Sequence, residues 1–550
     1  MLKRVFYWVL VFVAFANAGC HKVEQKEHAS LPSMQITMTP AQWDSVIIDR
    51  DNKVSARAIL LDAQGDTLYQ GKLAYIKTRG NFTFTATKKS FSIKFPHKQN
   101  LFGLSLSKSF VLLSNAFDES HIRNAIALDL ATAFGIPASR YVYLTLYVNG
   151  VYKGLYQMTN KVDVGKRTLD ITDLEKLNER VNPKPLKEYE WFGKGRKKQV
   201  IQRKGVLLDN NPDDITGGYL LDITGPWIDY TKSISGFVSD AEDNIRIRSP
   251  QYASPQEVDY IAERYNEMEA AVHAADGIHP ITGKHYTEYL DMDSFVRYYL
   301  LNELIKNLDG GWSSFMIYKN NDTNDPKFYA GPAWDYDRSL DNPSFQTQKV
   351  SLVNEFYVNA KNGIPGMANS GGLFYYLFKH EDFRRAVKDC YQNEISPACH
   401  EYLETGSFDS LSVLLSHEAD QDNKFFPSRH AKNYEDAVSR ATGFLRKSLE
   451  FIDWFYATTE DERVTVNYIW IDGGVRKLYY PLEQAIDAPQ LDVLHNHTPV
   501  YELYYAGTDS LVPQGTVFHT SQELELRKRE PTRREVQTRR IRKKIKKIGF

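Results

Sequence analysis

Between Asn307 and Asp341 the chain reads NLDGGWSSFMIYKNNDTNDPKFYAGPAWDYDRSLD, and this stretch limits the possible folds more than any other. Ser313 to Lys319 and Lys327 to Trp334 are rich in β-branched and aromatic residues. The Asn/Asp/Thr/Pro run between them is turn chemistry, so the stretch predicts a β-hairpin. A hairpin brings its outer ends together, which sets Asp309 beside Asp335 and Asp337. Alternation at period two turns Asp335 and Asp337 to one face and Tyr336 to the other. Three carboxylates at one end of a ribbon need basic partners or a divalent cation.

Such a cluster suits phosphoryl transfer. A loop aspartate orients and deprotonates a hydroxyl, and a second aspartate across a hairpin holds the magnesium that bridges the phosphates. In that reading Asp309 is the base and Asp335 the metal ligand, with Asp337 assisting. Spacing alone leaves a solvated acidic turn and a calcium site as competing accounts.

The string N-x-D-G followed by G-P-x-W-D-x-D, here Asn307, Asp309, Gly310, Gly331, Pro332, Trp334, Asp335 and Asp337, resembles the catalytic region of the CotH kinase family, named for a spore-coat protein kinase. KTRGNFTF with KKSFSIKF (77 to 95), FDESHIRN (117 to 124) and VNGVYKGLYQMTNKVDVGKRTLDI (148 to 171) are similar to upstream motifs of that family. The resemblance runs over roughly residues 34 to 455, in the family's order. It implies an α+β, atypical protein-kinase-like fold with two lobes, a β-rich N-terminal one and a mainly helical C-terminal one. It also implies ATP with Mg²⁺ or Mn²⁺, transfer of the γ-phosphoryl group to a Ser, Thr or other hydroxyl, and a protein or other hydroxyl-bearing acceptor.

On the same resemblance Lys94 is the strand lysine expected on the phosphates, with Arg79 as runner-up. Gly154 to Met158 is expected to be a strand ending in a turn, a hinge whose backbone at Met158 meets adenine. Ser314 stands where a second metal ligand is expected. Asn160 departs from the glutamate usual before Lys161 and removes a carboxylate that could pair with the lysine. H-R-D and D-F-G strings are absent, as are HExxH and GxSxG, and Gly193, Lys194 and Gly195 lack the spacing of a phosphate loop.

Lys3 and Arg4 precede an apolar run from Val5 to Ala16 and a small-residue end at Asn17, Ala18, Gly19 and Cys20. This reads as a signal peptide over 1–20, too short to be a good membrane span. Its cysteine looks like a bacterial lipobox, with Asn17 where Leu is usual. A lipidated Cys20 is therefore expected, anchoring the protein to a bacterial membrane outside the cytoplasm, in the periplasm or at the cell surface, with simple secretion as the alternative. Residues 21–33 are polar and read as a tether, followed by the kinase-like domain over 34–458. Cys390 and Cys399 are nine positions apart, a spacing open to a small disulfide loop or to two buried thiols.

Net charge of −1 hides an asymmetry. From Arg527 to Phe550 there are twelve basic and two acidic residues, which leaves the preceding part with 56 basic against 67 acidic. In this tail, 527–550, Ile541, Ile545 and Ile548 share one helical face, which fits an anionic lipid surface as well as a disordered segment; nucleic acid is not expected. Residues 253 to 275 and 286 to 307 read as helices, the second capped by Asp293 or Ser294, and more helices follow from Leu373 to Tyr456. Residues 459–526 read as a small β appendage. A non-catalytic surface adhesin or assembly protein, and a calcium-stabilised structural module, are the alternatives from other classes.

Overall fold

The computed structural model describes residues 30–529 and Thr532, apart from 81–82, 166–168, 194–201, 225–232, 312, 345–351, 361–371, 428–429, 470–474 and 489–499. The signal peptide, Cys20 and the amphipathic tail lie outside the described residues.

The N-terminal region is β-rich and closes on itself. Strands β1 (Ser33–Thr37), β2 (Val54–Leu61), β3 (Thr67–Arg79), β4 (Ser90–Gln99), β5 (Ser107–Leu113), β6 (Tyr141–Val148) and β7 (Val151–Asn160) form a barrel in the order β1-β2-β3-β4-β5-β7-β6. The seam is a parallel pairing of β1 with β6. Alternate residues fill the interior: Met34, Ile36, Leu60, Ile76, Phe91, Ile93, Phe95, Phe110, Leu112, Leu146 and Met158 make one buried cluster. Closure leaves no edge strand. The helix α1 (Pro40–Ile48) starts at a Thr39/Gln42 capping box, and α2 (Arg123–Ala133) leads away from the barrel into the helical core.

The C-terminal region is helical, as the sequence suggested, but a second sheet, which the sequence did not show, is built into it. After α3 (Leu174–Val181), strands β8 (Trp191–Phe192), β9 (Arg203–Val206), β10 (Tyr219–Thr224), β11 (Ser235–Val238), β12 (Asn244–Ser249), β13 (Phe315–Lys319) and β14 (Phe328–Ala330) form a second seven-stranded sheet, ordered β14-β13-β10-β12-β11-β9-β8. One face, with Leu221, Ile223, Ile245, Ile247, Phe315 and Ile317, belongs to the same core as α4 (Pro255–His273) and α5 (Met292–Leu304). Leu220 and Met316, on the other face, pack with Val111 of the barrel and with Trp334. The candidate site lies beside this contact between barrel and sheet.

Helices α6 (Leu373–Leu377), α7 (Glu381–Cys390), α8 (Ser396–Glu404), α9 (Ser407–Phe425) and α10 (Tyr434–Ala457) complete the helical body. Cys390 and Cys399 are free buried thiols, with a π turn at Tyr391–Ile395 between them. The C-terminal sheet, β15 (Arg463–Ile469), β16 (Val475–Pro481), β18 (Val500–Tyr505) and β20 (Gln522–Arg529), is ordered β16-β15-β20-β18 around its own core, with β17 (Ala485–Ile486) paired to β19 (Thr516–Val517). Because β20 runs to Arg529, the strand takes up the first residues of the basic tail. Among the described residues no helix is long and apolar enough to cross a membrane.

Candidate active site

Asp309 lies in a tight loop at the end of α5. The helix is capped by Asp291, whose side chain accepts the Ser294 N–H at 2.8 Å, rather than by Asp293 or Ser294. Beyond Leu304 the chain turns at Lys306 (φ 47°). Asn307 then holds the loop, donating to Asn302 Oδ1 (2.8 Å) and accepting the Asp309 N–H (3.2 Å). The Gly310 N–H reaches the Asn307 carbonyl at 3.0 Å. The N-x-D-G string is thus a self-bonded turn presenting one carboxylate.

The hairpin forms, in the register Ile317 to Ala330 and Lys319 to Phe328, but its second strand stops at Ala330. Pro332 has no N–H for the ladder, and Asp335 adopts a left-handed backbone (φ 69°). The period-two argument for Asp335 and Asp337 therefore does not hold, because neither is on a strand. Tyr336 is nonetheless fully buried, Asp335 is exposed and Asp337 is half-buried.

The FDESHIRN segment anchors this carboxylate loop. Asp118 accepts from Arg123 Nη1 (2.5 Å), Ser120 Oγ (2.6 Å) and the Arg123 N–H (3.0 Å). Burial opposes the Asp118 charge, yet the Arg123 guanidinium and these bonds hold its carboxyl below the ordinary range. Arg123 Nε in turn donates to the Leu340 carbonyl (3.2 Å). Asn124 spans two elements, donating to Gln157 Oε1 of β7 (2.7 Å) and accepting the Tyr336 N–H (3.2 Å).

Asp309 Oδ1 accepts from Arg338 Nη1 at 2.7 Å, and the Leu308 N–H bonds the Arg338 carbonyl at 3.1 Å. Burial pushes the Asp309 carboxyl up to about 6; Arg338 opposes this and Asp335 adds to it. Asp337 is pushed well above the carboxylate range, by burial first and then by the charges of Asp335 and Asp309. The three carboxylates therefore act on one another. Ser314 (φ 52°) donates to Asp335 Oδ2 at 3.2 Å. Among the described residues no three His, Cys, Asp or Glu side chains gather closely enough to cage a metal. Asp309 is held by Arg338, and Ser314 takes only Oδ2 of Asp335, so Asp335, which is exposed, and Asp337, which is half-buried, offer hard oxygen donors.

Residues 76–452, more than half of the chain, match the model of the CotH kinase protein family. The chain belongs to the CotH kinase family. No curated protein matches it.

In this member of the family the barrel contributes Arg79, at the end of β3. Its guanidinium lies 5.1 Å from the centre of the Trp334 ring. Burial pulls its pKa down to about 10, with Asp335 opposing and Arg248 adding to the fall, so Arg79, Asp335 and Arg248 share one neighbourhood. Lys94 pairs with Tyr75, whereas Arg79 pairs with Ser90. The two basic residues are on one face but four residues apart along the strand, about 13 Å. Lys94 is therefore not brought to the carboxylates.

Met158 is a correction of a different kind. The expected hinge is an interior strand: β7 runs on to Asn160, and Met158 pairs with Leu112 on one side and Val142 on the other. Its side chain is fully buried in the barrel, so neither side chain nor backbone edge faces the cleft. Asn160 bonds the Ser105 backbone twice, accepting its N–H (3.0 Å) and donating to its carbonyl (3.1 Å). A glutamate there would lose the donor half of that pair, which gives the departure from the family pattern a structural cause.

Two arginines besides Arg338 were missed. In β12, Ile245 and Ile247 are buried while Arg246 and Arg248 alternate with them. Both guanidiniums converge on buried Asp222 of β10, Arg248 Nε at 2.9 Å and Arg246 through Nη2. The signal was the I-R-I-R alternation, but only the fold shows that its polar face meets Arg79. The other missed residue is Lys88. It is buried, and its Nζ donates to Asp422 of α9 (2.8 Å) and to the Leu155 carbonyl (2.6 Å). Gly154 (φ 118°) makes this clasp possible, because a Cβ there would meet Asp422 and Lys88.

Proposed function

We propose that this chain is an atypical, kinase-like enzyme that moves the γ-phosphoryl group of ATP to a Ser, Thr or other hydroxyl acceptor, using Mg²⁺ or Mn²⁺. The observation that carries the reading is that Arg338 holds Asp309 at 2.7 Å and Ser314 holds Asp335 at 3.2 Å, while Arg79 lies over Trp334, the residue next to Asp335. A divalent ion would neutralise developing charge on the phosphates. One or two carboxylates are enough to bind magnesium when phosphate and water complete the shell, and Asp335 and Asp337, with the Ser314 hydroxyl nearby, offer that chemistry.

Asp309 takes the acceptor's proton. Arg338 occupies Oδ1, which fixes the carboxylate plane and leaves Oδ2 for the hydroxyl. A carboxyl raised to about 6 is ionised at neutral pH and is a stronger base than an ordinary aspartate. Arg79 and Arg248, guanidiniums that match phosphate oxygens in pairs, bind the phosphates. In this reading Cys20 is lipidated and holds the enzyme outside the cytoplasm on a bacterial membrane, with the basic tail as a second contact. The protein acceptor is therefore exported as well.

The test is transfer from γ-labelled ATP with Mn²⁺ or Mg²⁺ by the chain lacking residues 1–20, beside Asp309→Asn and Asp335→Ala. Label that disappears in both folded variants supports the enzyme. No transfer, with no nucleotide-induced thermal shift, moves the weight to a surface binding protein on the same frame.

A further inference from the structure

The C-terminal sheet lies beyond the family match, which ends at residue 452, yet it reaches the back of the Asp309 loop. The connection runs through residues 354–358. Leu478 of β16 forms a bridge with Glu355, and the Tyr479 N–H bonds the Asn354 carbonyl at 2.9 Å, so the segment extends that sheet. Glu355 is buried, accepts from Tyr468 Oη at 2.6 Å and lies 3.9 Å from Arg476 Nη1.

Two residues on, Tyr357 is fully buried. Arg476 lies over its ring at 5.0 Å, and its hydroxyl donates to the Leu308 carbonyl at 3.0 Å. That carbonyl belongs to the peptide bond leading into Asp309. The same loop is gripped from its other end. Glu303 accepts the N–H groups of Tyr357 and Val358, each at 2.8 Å, and Lys306 Nζ donates to Glu303 Oε1 (2.7 Å) and to the Glu355 carbonyl (2.6 Å). Two acidic and two basic side chains, Glu303, Glu355, Lys306 and Arg476, are buried together. Each is costly to leave alone, so the set is held in one arrangement.

We propose that the C-terminal sheet is a brace for the Asp309 loop, with Arg476 and Tyr357 as positioning residues that act through the Leu308 carbonyl. As far as catalysis goes, this rests on the reading of Asp309 as the base; the bracing itself does not. The sheet thereby becomes part of the site without touching substrate, and its loss would loosen the loop while leaving the barrel intact.

Backbone amide hydrogen exchange on the full-length chain tests this, comparing wild type with Tyr357→Phe and Arg476→Gln. Losing one hydrogen bond of about 1 kcal/mol corresponds to roughly fivefold faster opening. The expected result is exchange at Leu308, Asp309, Gly310 and Ser313 accelerated about fivefold or more, with β3 and β4 unchanged. In a transfer assay both variants lower kcat with the nucleotide KM unchanged, and Arg476→Lys recovers part of the loss. Unchanged exchange in the loop overturns the proposal, as does equal acceleration in the barrel, which would mean general destabilisation. If Arg476→Gln does not fold, Tyr357→Phe, which removes a single hydroxyl, decides. If wild type shows no transfer, the kinase reading fails while exchange still judges the brace.

Discussion

Asp118 and Asp309 are both buried aspartates with an arginine at hydrogen-bond distance, yet one carboxyl is held below the ordinary range and the other is raised to about 6. The difference lies in what else surrounds them. Asp118 adds a serine hydroxyl and backbone N–H groups to its arginine, and its charge is fully answered. Asp309 has Arg338 on one side and the charge of Asp335 on the other. A buried carboxylate with complete partners is structural; one left partly unanswered is available for chemistry.

The sign of the pH effect follows for each. Asp118, with its pKa lowered by folding, contributes stability above about pH 4 that is lost as pH falls through its folded value. Asp309, with its pKa raised from its ordinary value to about 6, costs stability as pH rises from about 4 through about 6, on the order of 3 kcal/mol at neutral pH.

Arg123→Met gives the largest expected effect, a loss of about 3–5 kcal/mol in urea or thermal unfolding, because it strands a buried charge. A loss no greater than that of Arg338→Met would erase the contrast between the two sites. Asp309→Asn lowers phosphoryl transfer about 10²–10⁴-fold, the range of a lost general base, while the melting temperature stays level or rises. A melting temperature that collapses instead would make Asp309 structural. Next comes the pH profile: kcat/KM rises through about pH 6 in wild type, and Arg338→Gln, which removes the charge that favours ionised Asp309, moves that midpoint upward. A midpoint near pH 4 in both would point to another base. The smallest effect sharpens the comparison from outside either site. Asn160→Glu costs about 1–2 kcal/mol by losing the bond to the Ser105 carbonyl, with nucleotide-induced stabilisation unchanged.

The hairpin, α4, α5 and the later helices were legible because their apolar residues recur at period two or 3.6 over long enough runs. Hairpin geometry put Asp309, Asp335 and Asp337 within electrostatic reach of one another, but the alternation invoked for the last two was replaced by a loop with Asp335 at positive φ. The second sheet was hidden, since β8, β9 and β11 are only two to four residues long. Too few side chains alternate there to show a period. Lys94 was preferred to Arg79 because both lie on strands of the same motif, and only the register shows which end meets Trp334 and Asp335. Arg338 directly follows Asp337, but its pairing with Asp309 depends on two loops packing side by side.

The barrel's seam also sets a schedule for the nascent chain. Across it the Met38 N–H bonds Asn149 Oδ1 at 2.9 Å, a partner 111 residues further along. At synthesis rates of about 5–20 residues per second, the first strand waits about 5–20 seconds for that partner to be made. Throughout that interval Met34 and Ile36 have no barrel to enter, so the opening strand is the segment a chaperone has most reason to hold.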